Sequence, residues 1–367
     1  MRPQFSSTLR ALAFAALLLV LLSAPAVVSV TATVDRRSVY PPMSGELGEY
    51  GWIERKVFVD RGDVDIAFAG SSRMWTAIDA RYVQSQLSAQ LHRRAEVFTL
   101  GWNWTGYDQL YLIARDLLDH RRVHTLVIYD DVNASDGDLP HPQLYRTARL
   151  GDFPDAFRDL PWRAGVRHYA GAVLGLPRHL LSLVRPDEDD PARWGDSDLW
   201  RGLDAADPVE QLGSLRARAG YGDPRPPFEP YRPAGRVRPD DVEVFSGATR
   251  EAFAFDHRQT GPYQSHFARA LGRLCVQDGV QLVMLHVPTI TEQDQTAIPE
   301  RMPPAEIVDA PADLIGIPGA ALFAGIPASD LPKLFYNPFH VNQNGQDLFT
   351  TVLTPTLLRL YALKTQS

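Results

Sequence analysis

The chain contains a single cysteine, Cys275, among its 367 residues, so no disulfide can form within it. A folded domain made by this chain must therefore be stabilised by its core alone. Cys275 lies in the segment FARALGRLC, where Phe267, Leu271 and Leu274 recur at helical spacing. This spacing predicts a small buried side chain in a helix rather than a reactive thiol.

The chain also lacks an excess of basic side chains. Residues 1–34 hold two of the 37 Lys and Arg residues and none of the 44 Asp and Glu residues, so the remainder has a formal charge of −9. Proteins that bind phosphate backbones carry clustered basic side chains. The charge therefore argues against nucleic acid as a partner.

Charged residues are absent from 11–34, and this run is long enough to span a bilayer. Two arginines precede it, which predicts a signal-anchor helix within 1–34, a connector over 35–62 and a domain outside the cytoplasm. A cleaved signal peptide is the alternative, because small residues follow the apolar core LLLVLLSAPA, and cleavage would give a secreted protein. We favour the anchor because the apolar run continues past Ala24.

Apolar segments alternate with helical patterns along the next part of the chain. Buried strands are predicted at VDIAFAG, AEVFTLGW, HTLVIYDD, VQLVMLHVP and AALFAGIP, and helices are predicted at DARYVQSQLSAQL, YDQLYLIARDLLDH and YQSHFARALGRLCVQDG. A terminal helix starting around Gly345 is expected to be kinked or broken at Pro355. This alternation predicts an α/β fold with a doubly wound parallel sheet covered on both faces.

The alternation stops after residue 133. Residues 134–255 are rich in Pro, Asp, Arg and Gly and predict a long, partly irregular insertion, in which VRHYAGAVLGLPRHLLSLV has helical character. The α/β domain is therefore assigned to 63–133 and 256–367. The insertion is suited to covering a site, contacting a partner or lying on the membrane, and the sequence does not choose among these.

Polar residues follow the predicted strands at Gly70-Ser71-Ser72, after Trp102 and at 130–133. Ligands of open α/β sheets bind at the carboxyl ends of the strands. A serine there attacks an acyl carbon only if a base accepts its proton, and His340 in FYNPFHVNQNGQDLF is a candidate base. The plainer interpretations are a serine that caps a helix and a histidine in a surface loop.

The order of these blocks resembles the SGNH hydrolases, also called GDSL esterases, whose fold is flavodoxin-like. The resemblance covers about half of the chain, roughly 63–133 and 256–363. The segment GSS stands where that family has Gly-Asp-Ser, and this implies that Ser72 is the nucleophile. Asn337-Pro338-Phe339-His340 stands where the family has Asp-x-x-His, and the following VNQNG is similar to the family's continuation. The resemblance thus implies that His340 is the base.

The remaining blocks imply an oxyanion hole. In the family, one donor is the backbone N–H of a glycine after the second strand. The matching segment TLGWNWTGYDQ contains Gly106 as the first candidate and Gly101 as the second. The family takes an asparagine side chain after the third strand, and YDDVNAS offers Asn133. The N–H of Ser72 itself completes the set.

The most similar branch of that family is membrane-anchored and extracytoplasmic, and it serves in surface-polymer acylation, such as D-alanylation of teichoic acid and acetylation of alginate. The resemblance implies a serine esterase or O-acyltransferase that acts on acetyl-like esters of a cell-surface glycan. It implies no cofactor and no metal. It also implies a multipass membrane O-acyltransferase as a donor partner.

The chain departs from the family at Asn337, where an aspartate normally stabilises the imidazolium. An Asp-to-Asn change in a serine triad lowers turnover by about 10⁴-fold. Three interpretations remain open: Asn337 orients the histidine, Asp330 replaces the missing carboxylate, or the site binds without turnover. The last would make the protein a binding or assembly component of a polysaccharide-modification machinery.

Two further groups of polar and aromatic residues lie near the strand ends. Asp130 and Asp131 resemble a metal pair, but no histidine cluster accompanies them, so a loop at a strand end is the better interpretation. Trp75, Trp102 and Trp104 suggest a stacking surface for sugar rings, with core packing as the alternative.

Overall fold

The computed structural model describes residues 7–31, 36–40, 44–45, 48–102, 106–129, 138–174, 231–233, 235–246, 254–255, 260–300 and 304–365. Within these ranges the chain forms an α/β fold around one mixed, mostly parallel sheet. The six strands are β1 (Val64–Gly70), β2 (Val97–Gly101), β3 (Val123–Tyr129), β4 (Glu243–Ser246), β5 (Gln281–Leu285) and β6 (Asp313–Gly316).

The strands are arranged in the order β2-β1-β3-β5-β6-β4. Five strands run parallel, and only β4 pairs antiparallel, with β6 at one edge. The chain moves from β1 to β2 on one side and then returns to β3 on the other side. The order therefore reverses at β1, and this is the point where ligands bind in such sheets.

Twelve helices precede, connect and follow the strands in the described ranges. They are α1 (Thr8–Thr31), α2 (Tyr50–Glu54), α3 (Ser72–Ala77), α4 (Ala80–Leu91), α5 (Tyr107–His120), α6 (Leu144–Thr147), α7 (Phe153–Asp159), α8 (Trp162–Leu174), α9 (Pro262–Gln277), α10 (Pro304–Val308), α11 (Gly319–Leu322) and α12 (Gln343–Thr365). Short 3-10 helices lie at Arg36–Val39, Leu150–Asp152, Pro239–Asp241, Ile290–Glu292 and Leu331–Leu334, and a π-helix at Arg55–Val59 follows α2. Two-residue and three-residue strands pair at Ser44–Gly45 with Gly48–Glu49, at Ala254–Phe255 with Pro299–Glu300, and at Phe335–Asn337 with His340–Val341.

Helices cover both faces of the sheet, as the sequence predicts. Every residue of β1 is buried, because its side chains alternate between two apolar cores. Ala67 and Ala69 face the core formed with α5 and α9, where Cys275 lies, whereas Ile66 and Phe68 face the core formed with α4 and α12. Burial raises the pKa of the Cys275 thiol to about 12, so the prediction of a buried small side chain is confirmed.

The last strand differs from the prediction. AALFAGIP overlaps the short helix α11, and the strand lies just before it, at Asp313–Gly316. Short apolar runs do not distinguish strand from helix by periodicity alone, which explains the error. The terminal helix α12 continues through Pro355, so the expected break does not occur. Residues 243–246, inside the predicted insertion, add the antiparallel edge strand β4.

A buried carboxylate joins the connector to the rest of the molecule. Asp116 on α5 has no solvent exposure and accepts hydrogen bonds from Arg36 Nε at 3.0 Å and from Tyr40 Oη at 2.5 Å. Arg149, which follows α6, also donates to this carboxylate. The two arginines make the buried charge of Asp116 tolerable and fix the connector against α5.

Helix α1 covers most of the uncharged run over 11–34. Among the residues that the structure describes, no helix is long and apolar enough to cross a membrane. The predicted membrane anchor is therefore not shown. Large apolar side chains of α1 are nevertheless exposed, namely Leu9, Leu12, Phe14, Leu17, Leu18, Leu19, Val20 and Leu21.

Candidate active site

The first strand ends in a sharp turn that presents two serines. A Cβ atom on Gly70 would lie 2.9 Å from the Cβ of Tyr129, so only glycine fits between β1 and β3 at this point. Ser71 is the N-cap residue of α3, in an extended conformation and without a capping hydrogen bond from its side chain, and Ser72 is the first residue of that helix. The serines therefore stand at the carboxyl end of the strand where the sheet order reverses.

His340 lies against Ser72, although 268 residues separate them. The hairpin formed by Phe335–Asn337 and His340–Val341, here called the site hairpin, places His340 Nε2 2.8 Å from Ser72 Oγ. Ser72 is 4 % exposed and His340 is 8 % exposed. This distance is within the range required for a nucleophile and its general base.

Asn337 holds the other side of the imidazole. Its Oδ1 atom lies 2.9 Å from His340 Nδ1 and also accepts hydrogen bonds from the backbone N–H groups of Phe339, at 2.9 Å, and His340, at 3.0 Å. A backbone N–H can only donate, so the Asn337 atom at this position is the amide oxygen and not the nitrogen. His340 Nδ1 must therefore carry the proton, which leaves Nε2 as the acceptor for the Ser72 hydroxyl.

This arrangement separates two tasks that an aspartate performs together in a serine triad. One task is to fix the tautomer of the histidine, and the other is to stabilise the imidazolium by its negative charge. The backbone-fixed amide of Asn337 performs the first task. It has no charge for the second, so the site has a correctly oriented base but weaker support for the protonated state.

Asp330 is placed in a different network. Its carboxylate lies 2.9 Å from Lys333 Nζ and accepts a hydrogen bond from Tyr231 Oη at 3.0 Å. The Lys333 ammonium, followed by Tyr231, lowers the pKa of Asp330. Because Asn337 occupies the Nδ1 side of His340, the geometry favours Asn337 over Asp330 as the group that orients the ring.

The two adjacent serines have different surroundings. Ser72 Oγ faces His340, whereas Ser71 Oγ is buried and has no hydrogen-bond partner among the described residues. Only the second serine therefore has a base within reach.

The segment after His340 fixes the site hairpin to α12. Asn342 Oδ1 accepts hydrogen bonds from the N–H groups of Asn344, at 2.9 Å, and Gly345, at 3.3 Å, which caps the start of α12. Asn342 Nδ2 donates to the carbonyl of Lys333 at 2.8 Å. A Cβ atom on Gly345 would lie 2.3 Å from the carbonyl oxygen of Leu334, so the helix approaches this turn too closely for any other residue. The letters VNQNG thus carry a positioning role that the sequence alone does not reveal.

Helix α12 also contacts α3 and the start of β1. Thr350 Oγ1 donates to the carbonyl of Ala77, the last residue of α3, at 3.0 Å. Near the other end of α12, Tyr361 Oη donates to the carboxylate of Asp65 at 2.7 Å. The segments that carry Ser72 and His340 are therefore both held by α12.

The segment after β5 supports the site hairpin from another side. The Ile290 N–H donates to the carbonyl of Pro338 at 3.1 Å. Glu292 holds this segment, with its carboxylate 2.9 Å from His286 Nε2 and 3.1 Å from Thr289 Oγ1. Burial acts to raise the pKa of Glu292, but the hydrogen bond from His286 and nearby positive charge lower it below its ordinary value.

Arg73 connects the strand ends next to Ser72. Its guanidinium lies over the ring of Tyr129, 5.0 Å from the ring centre, and donates to the carbonyl of Val287. The residue after Ser72 is thereby held against the ends of β3 and β5. Nothing in the sequence distinguishes this arginine from the others.

The predicted oxyanion hole is only partly within the described residues. Asn133 lies outside them, and so do residues 103–105, which join β2 to Gly106. Gly106 is the N-cap of α5, and a Cβ atom there would lie 2.4 Å from Asp108 Oδ1. Gly101 ends β2 opposite Gly70. The roles of Gly106 and Asn133 stay predictions.

Two of the three predicted sugar-stacking residues lie in the core. Trp102 is fully buried, and Trp75 is nearly so, in the cluster that includes α5 and α9. Their rings pack as core side chains and present no open face to a ligand. Trp104 lies outside the described residues.

No group of three or more His, Cys, Asp or Glu side chains suited to a metal ion occurs within the described ranges. Asp130 and Asp131 lie outside these ranges.

Comparisons of the chain with protein-family models, with curated proteins and with solved structures find no match.

Proposed function

We propose that the protein is an extracytoplasmic serine esterase or O-acyltransferase of the SGNH type, acting on acetyl-like esters of a cell-surface glycan. The observation that carries this proposal is the hydrogen-bonded series from Ser72 Oγ through His340 to Asn337 Oδ1, at 2.8 Å and 2.9 Å. It stands at the carboxyl edge of the sheet, beside the strand at which the order reverses.

In the proposed reaction, Ser72 Oγ attacks the acyl carbon while its proton passes to His340 Nε2. The tetrahedral oxyanion accepts hydrogen bonds from the N–H groups of Ser72 and Gly106 and from the Asn133 amide. The carbon–oxygen bond to the donor alcohol then breaks, and His340 returns the proton to the departing oxygen. Water or a glycan hydroxyl next attacks the acyl-serine with His340 as base. The bond between the acyl carbon and Ser72 Oγ breaks and His340 returns the proton to Oγ, which releases a carboxylic acid or a new ester.

The glycan substrate and the membrane location rest on the resemblance of the sequence blocks and on α1. A helix that exposes large apolar side chains is favourable in lipid and costly in water. The same resemblance supports a multipass membrane O-acyltransferase as donor and a reaction without a cofactor.

The alternative is a catalytically weak or inactive protein of the same fold that binds the glycan or its machinery. The neutral side chain of Asn337 is the specific observation in its favour, because it leaves the imidazolium without a charged partner.

A fluorophosphonate probe separates the two functions, because it reacts covalently only with an activated serine. We expect the purified full chain to be labelled, Ser72→Ala to abolish labelling, and Ser71→Ala to retain it as the matched control. Failure of the probe to label a folded chain, together with wild-type biological function in the Ser72→Ala variant, would establish the binding protein instead.

A further inference from the structure

An exposed apolar surface lies at the corner between α7 and α8. Phe157, Trp162 and Val166, here called the corner patch, are 45 %, 70 % and 47 % exposed. Trp162 and Val166 are four residues apart on α8 and therefore share one face of that helix. Soluble surfaces rarely keep a tryptophan so open, and an exposed apolar group of this kind marks a site of interaction.

The patch is continuous. A Cβ atom on Gly165 would lie 3.0 Å from the ring of Phe157, so the phenylalanine rests directly on α8 at Gly165. Its ring centre is also 6.1 Å from that of Tyr169, one turn further along α8. The side chains on this corner thus form one apolar strip.

Arginines border the strip. The Arg163 guanidinium lies 5.6 Å from the ring centre of Trp162, and Arg163 and Arg167 are both exposed. Arg158 is also exposed, but it pairs with Asp155 and Asp159. Tryptophan beside arginine suits the boundary between lipid headgroups and acyl chains, because the ring enters the apolar layer while the charge stays with the phosphates.

The position of α1 indicates what binds the corner patch. Helix α1 contacts the 3-10 turn Leu150–Asp152, which leads directly into α7. Phe157 follows this turn by five residues, or about 8 Å of helix. Helix α1 therefore meets the domain close to the corner patch.

We propose that the corner patch docks onto the surface of the lipid bilayer that holds α1, an inference that rests on the proposed membrane location. The domain would then be attached at two places, through α1 and through the headgroup region at α8. Such attachment sets the orientation of the domain relative to the membrane, which a single flexible tether does not.

Site-specific fluorescence tests this contact in the full chain, reconstituted into vesicles of phosphatidylcholine and phosphatidylglycerol. An environment-sensitive thiol probe is placed at Trp162→Cys, at Leu18→Cys in α1, and at Leu363→Cys. Leu363 is exposed on α12, which covers the opposite face of the sheet, and serves as the matched control. Cys275 is buried, so the unsubstituted chain provides the labelling blank.

We expect blue-shifted emission at position 162 and quenching there by lipids that carry a spin label near the headgroup, with neither effect at position 363. Position 18 lies inside the uncharged run over 11–34, so it is probed with lipids that carry the spin label on the acyl chain. Quenching at 18 but not at 162 would overturn the docking proposal and leave the membrane location intact. A blue shift at position 162 without lipid quenching would show that a protein, either a second copy of the chain or a partner, covers the corner patch. That result would also overturn the docking proposal. Absence of quenching at 18 and at 162 alike would remove the membrane location itself.

Discussion

Replacement of Asn337 by aspartate should convert a neutral support of His340 into a charged one with little structural change. The Oδ1 atom of Asn337 already accepts three N–H groups, two from the backbone and one from the imidazole. A carboxylate oxygen accepts the same three hydrogen bonds, so Asn337→Asp retains the geometry and the tautomer. What changes is the electrostatic stabilisation of the imidazolium when Ser72 is deprotonated.

The size of the effect follows from the difference between the two kinds of hydrogen bond. A hydrogen bond to a charged group contributes about 1.5–3 kcal/mol, against about 0.5–1.5 kcal/mol for a neutral pair. The difference of about 1–1.5 kcal/mol corresponds to a rise in turnover of about tenfold. The expected gain is smaller than the loss of about 10⁴-fold that the reverse change causes in serine proteases, because that loss also reflects a histidine in the wrong tautomer.

Hydrolysis of p-nitrophenyl acetate by the full chain measures the gain. The variant should also move the acid limb of the pH–rate profile to higher pH, because the new carboxylate favours protonation of the imidazole. The double variant Asn337→Asp, His340→Ala is the control, and in it the gain should vanish. Unchanged or lower turnover in a folded Asn337→Asp variant would refute the reasoning, and a loss of activity in Asp330→Ala would then identify the carboxylate that acts instead.

Other predictions concern stability and reactivity. Asp116→Asn should lower the free energy of unfolding by about 3–5 kcal/mol in urea titrations, because Arg36 and Arg149 lose their buried counter-charge. Cys275 should not react with a thiol reagent in the native chain at mildly alkaline pH and should react after unfolding, since burial raises its pKa to about 12. The stability that Glu292 contributes should be complete above about pH 4.5 and lost as the pH falls below it, because its folded pKa lies under the ordinary value of 4.5. Unfolding curves of Glu292→Gln should therefore depend less on pH in this range.

Each of these predictions has a plain contrary result. A loss below about 1 kcal/mol in Asp116→Asn would mean that the two arginines find other partners or water. Rapid labelling of native Cys275 would show that its helix opens readily. An unchanged acid dependence in Glu292→Gln would mean that the hydrogen bond to His286 is not held in solution.

The central strands and the helices α5 and α9 could be predicted because burial on both faces and helical spacing leave a clear pattern. Leu110 and Ile113 on α5 do pack into the core as their spacing indicates. The edge strand β4 could not be predicted, because its four residues lie in a stretch dominated by loop-forming residues.

The juxtaposition of Ser72 and His340 was expected from the order of the sequence blocks and from the rule that polar residues meet at the carboxyl ends of parallel strands. The tautomer of His340 was not accessible in this way, since it depends on two backbone N–H groups that select one orientation of the Asn337 amide. Trp75 and Trp102 illustrate what the sequence cannot predict. Their residue type and position suggested a ligand-binding surface, but in the structure both side chains pack in the core.

Helix α12 contacts the segments that carry Ser72 and His340. It is capped at Asn342, just after His340, it holds the end of α3 through Thr350, and it reaches the start of β1 through Tyr361. The distance between Ser72 and His340 thus depends on contacts close to the pair, which also include the hydrogen bond from Ile290 to the site hairpin. Loops of the intervening chain that contact neither the sheet nor the site hairpin can therefore change in length without altering this distance.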